Sequence, residues 1–128
     1  MLSGAHVLLY SEKPEADRAF FRDVLEFPSV DAGHGWLIFG LPAAEAALHP
    51  TDGEDRLLIH GGRRLLGAVL YLMCDDVEAY VKKLAAKNVH CSPREQEPWG
   101  IKTTIPLPSG GEIGLYQPQH PTAVGRKK

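Results

Sequence analysis

Six histidines, two cysteines and scattered carboxylates are the groups in this chain that can exchange protons or hold a metal near neutral pH. Their spacing decides what they can do. His6 stands in AHVLLY (Ala5–Tyr10), an apolar run. An imidazole there is either a satisfied core residue or a group that meets a small molecule as hydrogen-bond donor or proton acceptor. Glu112 follows Gly110-Gly111 and opens EIGLYQP, at the mouth of a turn. Together an imidazole and a carboxylate, with water in the open positions, would suit manganese, iron or zinc acting as a Lewis acid. The other histidines read as local chemistry. His34 sits between Gly33 and Gly35, His60 precedes Gly61-Gly62, His49 ends a strand-like run, His90 begins one, and His120 lies among prolines. None pairs with another His or Cys at zinc-site spacing, and His90-Cys91 are adjacent. No Ser/His/Asp or Cys/His arrangement for nucleophilic catalysis is visible, and neither glycine pair has the strand-loop-helix setting that cradles phosphate.

The elements that must position these groups come in a repeating order. Ala5–Tyr10 predicts a strand and leads through Ser11-Glu12-Lys13 to Pro14, which suits a first helical turn because its missing N–H would have no partner there. Phe20, Val24 and Phe27, with Ala16 one turn earlier, make an apolar stripe that Pro28 stops. A short run Ser29–Ala32, a stronger strand Trp36–Phe39 and a third at Ala43–His49 follow. Thr51–Gly62 reads as a linker despite Leu57-Leu58-Ile59. The order then restarts with a strand at Leu66–Cys74. Asp75 or Asp76 caps a helix carrying Val77, Tyr80, Val81 and Leu84, and Asn88 ends it. Three further strands are expected at Val89–Glu95, Gly100–Leu107 and Glu112–Gln117, the first weakened by Pro93. The class is α+β.

Two stretches carry the duplication. AEAALHP (Ala44–Pro50) overlays EIGLYQP, each after a Leu-Pro, Leu41-Pro42 and Leu107-Pro108. With the helix AFFRDVLEF (Ala19–Phe27), the entry CDDVEAYVKKL and the ending PWGIKTTIPLPSGGEIGLYQP (Pro98–Pro118), the chain resembles the vicinal oxygen chelate superfamily, which includes glyoxalase I, bleomycin-resistance proteins and extradiol dioxygenases. The resemblance runs from about Ala5 to Pro118. It implies one domain over residues 1–128, with tandem βαβββ modules at 5–50 and 66–118, a linker at 51–65, a tail at 119–128, and mixed sheets curled round a shared cavity, often in a dimer.

In metal-using members of that superfamily the ligands come from the first and last strand of each module. Those positions fall here on His6, Ala46, Val69 and Gly114. Only the first can bind a metal, since alanine, valine and glycine side chains donate no lone pair. No cofactor is therefore expected; the alternative is one divalent ion on His6 and Glu112. If Val69 and Gly114 face inward, alternation brings Tyr71, Met73, Glu112 and Tyr116 with them, and His6 brings Leu8 and Tyr10. Trp36 and Trp99 fall at the rim. The expected ligand-binding set is His6, Leu8, Trp36, Tyr71, Met73, Trp99, Glu112 and Tyr116, and the expected function is metal-free binding of a small, moderately apolar molecule. The rival expectation is a metal-dependent lyase, isomerase or dioxygenase.

The rest of the chain limits the partners. At 128 residues it can bury a sizeable core as one domain. A formal charge of −2 with interspersed signs gives no footprint for nucleic acid or an acidic membrane, and Arg126-Lys127-Lys128 reads as a solvated tail. No stretch approaches the ~20 apolar residues of a spanning helix. The start does not read as a signal peptide, and two cysteines do not make a secreted disulfide scaffold. A cytoplasmic homodimer with reduced thiols is expected.

Overall fold

A computed structural model describes residues 4–50 and 57–125. Residues 51–56 of the expected linker and the basic tail Arg126-Lys127-Lys128 lie outside the described residues. The chain divides into two compact units, one from Met1–Leu41 and Pro106–Glu112, the other from Pro42–Ile105 and Ile113–Lys128.

The first unit is built on α1 (Pro14–Asp23), with Pro14 in its first turn and Glu15 and Asp17 at the positive end of the dipole. Its apolar stripe buries Phe20 and Phe21, and Leu25 just beyond it. The helix stops before the expected Pro28. The Leu25 N–H reaches back to the Phe20 carbonyl, and Glu26 takes a left-handed φ of 60°. That reversal turns Phe27 onto the edge of Phe21, with ring centroids 5.6 Å apart, while Phe39 meets Phe21 at 5.5 Å. Strands β1 (Ser29–Asp31) and β2 (Leu37–Phe39) pair antiparallel. Their loop places Gly33, His34 and Gly35 at positive φ, and Asp31 Oδ1 accepts the Gly33 N–H at 2.7 Å.

Two expected strands do not form. Ala5–Tyr10 pairs with no strand among the described residues, and Val7, Leu8, Leu9 and Tyr10 are 45–62% exposed. Ala43–His49 is likewise outside any strand, with Leu48 90% exposed. Apolar sequence supplies only part of what a strand needs. The ladder partner supplies the rest.

In the second unit the expected linker is partly a hairpin, β3 (Leu57–His60) against β4 (Arg63–Leu66), reversed at Gly61-Gly62. The strand expected over Leu66–Cys74 shortens to β5 (Tyr71–Met73). Then come α2 (Val77–Ala85), β6 (Glu95–Glu97), β7 (Gly100–Pro106) and β8 (Glu112–Pro118). The strand expected over Val89–Glu95 is displaced to β6, beyond Pro93, whose missing N–H cannot serve a ladder. Asp76 caps α2 by accepting the Ala79 N–H, and Asn88 at φ 61° turns the chain out, with the Val89 N–H bonded to the Leu84 carbonyl. Strand order is β5-β8-β7-β6, with β5 parallel to β8 and β6 antiparallel to β7.

The class is α+β, as the sequence indicates. Among the described residues the first unit holds a two-stranded sheet, and the second holds a two-stranded and a four-stranded sheet. In the second unit Ile113, Leu115 and Ile105 share burial with Val77, Val81 and Leu84 of α2, and the Val77 N–H donates to Gln117 Oε1. That packing leaves the opposite face of the four-stranded sheet to other residues.

Candidate functional site

Register fixes what the opposite face carries. In the β5-β8 pair Tyr71 stands across from Gly114 and Met73 from Tyr116, while Leu72 stands across from the buried Leu115. In the β6-β7 pair Glu95 opposes Lys102 and Glu97 opposes Gly100. Alternation therefore gathers Tyr71, Met73 and Tyr116 on one face, with Glu95, Glu97 and Lys102 toward its edge strand.

Two glycines let aromatic rings lie on the backbone. A Cβ at Gly114 would fall into the Tyr71 ring, 2.8 Å from its Cγ. One at Gly100 would collide with the Gln117 carbonyl oxygen and stand 3.2 Å from Tyr116 Cδ2. With these positions bare, Trp99, in the turn between β6 and β7, closes a three-ring cluster. Edge-to-face contacts join Tyr71 to Trp99 at 6.0 Å, Tyr71 to Tyr116 at 5.7 Å and Trp99 to Tyr116 at 5.1 Å. His120 stacks on Tyr116 at 5.9 Å with its ring tilted by 26°. The Tyr116 hydroxyl and His120 Nε2 are 3.1 Å apart.

Polar groups border the rings. Lys102 Nζ lies 3.3 Å from both Glu95 Oε2 and Glu97 Oε1 and 5.9 Å from the centre of the Trp99 ring. Hydrogen bonds to Glu95 and then Glu97 raise the Lys102 pKa. Thr103 is buried and donates to the Ser92 carbonyl at 2.6 Å, so its hydroxyl accepts from Ser92 Oγ at 3.0 Å. Tyr71, Ser92, Glu95, Lys102, Thr103 and Thr104 line a cavity of about 110 Å³. That is below the ~300 Å³ of a typical ligand pocket, so the broader aromatic face is the better candidate. Burial pushes the Tyr116 phenol pKa up, and the Glu45 carboxylate adds to the shift.

The sequence-derived set divides between the two units. Tyr71, Met73, Trp99 and Tyr116 come together as described. His6, Leu8, Trp36 and Glu112 belong to the other unit. His6 and Leu8 are exposed and outside any strand, which corrects their expected place on a ladder. Trp36 is 54% exposed, with the Arg18 guanidinium 4.7 Å above its ring, and Glu112 is exposed at the start of β8. His120, assigned by sequence to the tail, belongs with the rings. No spacing in the sequence marks it, since the prolines beside it signal a loop.

No family model and no curated protein matches the chain. Solved structures do. TnmS3, an antibiotic-binding protein from Streptomyces sp. CB03234, is 24% identical, with 93% of this chain and 100% of that one aligned at a TM-score of 0.59. A glyoxalase/bleomycin-resistance protein from the same strain is 26% identical over 84% and 92% of the two chains, with a TM-score of 0.51. A member of the glyoxalase/bleomycin resistance protein/dioxygenase superfamily from Sphaerobacter thermophilus DSM 20745 is 21% identical over 91% and 98%, with a TM-score of 0.55. The chain has the fold of the glyoxalase/bleomycin-resistance/dioxygenase superfamily.

That superfamily fold raises the question of which residues stand at its metal positions. The ring of Tyr71 covers the bare backbone of Gly114, at a position where the superfamily resemblance puts a ligating carboxylate. Val69 is 82% exposed, and Ala46 offers no donor. Among the described residues no group of three His, Cys, Asp or Glu side chains is placed to hold an ion. His6 and Glu112 would supply two ligands at most, and His6 stands on a segment that no ladder orders.

Proposed function

We propose that this protein binds a small, flat, moderately apolar molecule on the aromatic face formed by Tyr71, Trp99 and Tyr116, without metal catalysis. The observation that carries the reading is the three-ring cluster itself, which stands over glycines rather than inside the core. Edge-to-face rings present both faces and edges to a flat guest, and burying apolar surface of the guest against them supplies the main attraction. The likeness to an antibiotic-binding protein supports the same class of ligand. Calorimetric titration with a panel of planar aromatic compounds tests it. Tyr71→Ala is expected to weaken binding roughly tenfold or more while leaving the protein folded. Unchanged affinity in that variant would remove Tyr71 from the site.

The same reading includes a homodimer. Val7, Leu8, Leu9 and Tyr10 of the first unit, and Leu48 and Val69 of the second, are large apolar side chains left 45–90% exposed, surface that a second copy would cover. Pairing with a second copy would give the segments Ala5–Leu9 and Ala43–His49, which lie outside the strands, a ladder to join. Light scattering on the purified chain is expected to give twice the monomer mass. We place the protein in the cytoplasm, which suits its two free cysteines. Among the described residues no helix is long and apolar enough to cross a membrane.

A further inference from the structure

His120 makes two hydrogen bonds, and for the neutral ring they decide the tautomer. Nδ1 lies 2.8 Å from the Pro121 carbonyl oxygen, which can only accept, so Nδ1 carries the hydrogen. A neutral imidazole has one N–H, and Nε2 is therefore a bare lone pair. Its neighbour at 3.1 Å is the Tyr116 hydroxyl, which must donate to it. The single hydroxyl proton of Tyr116 is thereby committed, and what its oxygen offers to anything else is lone pairs.

The surroundings hold this arrangement in place. His120 is stacked on the Tyr116 ring. The preceding residue is fixed from both ends: the Gln119 N–H donates to the Trp99 carbonyl at 2.9 Å, and Gln119 Oε1 accepts from Gln96 Nε2 at 2.7 Å. Beyond His120, the Ala123 N–H donates to Glu45 Oε1 at 2.8 Å. Beside the rings, the hydroxyls of Ser92 and Thr103 are occupied with each other and with backbone groups.

Resting on the ligand-binding reading above, we propose that His120 is a specificity-determining residue. It makes Tyr116 a hydrogen-bond acceptor, so the face selects flat aromatic molecules that carry a hydroxyl or N–H donor over those that offer only ether or carbonyl oxygens. The discrimination comes from pairing. A donor on the guest completes the Tyr116 lone pair, whereas an acceptor there meets another acceptor and goes unpaired.

The test compares 2-naphthol with 2-methoxynaphthalene by calorimetry on the full chain. Wild-type protein is expected to favour 2-naphthol by about tenfold. His120→Leu frees the Tyr116 proton and should collapse that ratio toward unity, mainly through tighter binding of the ether. His120→Gln, whose amide oxygen can accept from Tyr116, should restore the preference. Tyr116→Phe should abolish it. Equal affinities in the wild type, or a preference that survives His120→Leu, would overturn the role of His120 while leaving ligand binding intact. Binding of neither compound to the wild type would count against the ligand-binding reading itself.

Discussion

Tyr71 lies on the bare Cα of Gly114, its partner across the parallel β5-β8 pair, so closely that even a methyl group there would enter the ring. The sheet thus trades a side chain on one strand for an aromatic surface on its neighbour. Gly114→Ala is expected to expel the Tyr71 ring and cost about 1–3 kcal/mol by chemical denaturation, as overpacking does. In a Tyr71→Ala background the same substitution has nothing to collide with and should cost much less. Additive losses in the double variant would show that the ring does not occupy the space above Gly114.

Asp17 ties the first unit together. It is a helix residue 8% exposed, yet both carboxylate oxygens are used: Oδ2 accepts from Ser11 Oγ at 2.7 Å and Oδ1 from the Ser109 N–H at 3.0 Å. The second bond holds the turn that joins β7 to β8. Asp17→Ala leaves two donors without their acceptor and should destabilise by about 2–4 kcal/mol in urea denaturation, since hydrogen bonds to charged groups are the stronger kind. Asp17→Asn keeps one acceptor oxygen and should cost about half as much. Equal stability of all three proteins would mean that Ser109 finds another partner.

Much of this architecture was legible in the residues. Pro14, the Asp75-Asp76 pair, Asn88 and the two glycine turns are local signals with local causes, and α1, α2, β2, β7 and β8 follow from them with end shifts of a few residues. The face of β5 and β8 was legible because alternation is strict: once Gly114 is placed, Tyr116 follows. What failed depended on distant partners. Ala5–Tyr10 has the composition of a strand, but a ladder is a property of two segments, and the sequence of one does not supply the other. His6 and Leu8 lost their expected places with it. His120 escaped notice for the opposite reason, because the prolines beside it signal a loop and a loop residue can still stack on a strand.

The cap of α2 gives a local test of the second unit. Asp76 Oδ1 accepts the Ala79 N–H at 3.1 Å, while Gln117 Oε1 accepts the Val77 N–H at 3.0 Å, so two of the helix's unpaired donors are met by different side chains. Asp76→Ala should cost about 1 kcal/mol, the usual worth of an N-cap. Gln117→Ala should cost a similar amount, and it should also loosen the contact between α2 and β8. Hydrogen exchange at Val77 and Ala79 separates the two effects, since each substitution should speed exchange chiefly at its own amide.

The thiols make an alkaline prediction. Burial, followed by the charges of Asp75 and Asp76, pushes the Cys74 pKa from an ordinary 9.0 up to about 11, and burial raises Cys91 as well. At pH 8 the folded protein should therefore react with iodoacetamide far more slowly at Cys74 than the unfolded chain does, by roughly a hundredfold. The stability consequence has a definite sign. Unfolding lets the thiol ionise at its ordinary pKa, so above pH 9 the unfolded state binds fewer protons than the folded one and stability falls. The contribution is complete below pH 9 and is lost as pH rises through about 11. Cys74→Ala should flatten the alkaline limb of the stability profile relative to wild type, with no change in its slope below pH 8. Fast alkylation of Cys74 in the folded protein at pH 8 would mean that the thiol is not held in the half-buried, acid-flanked setting beside Tyr116.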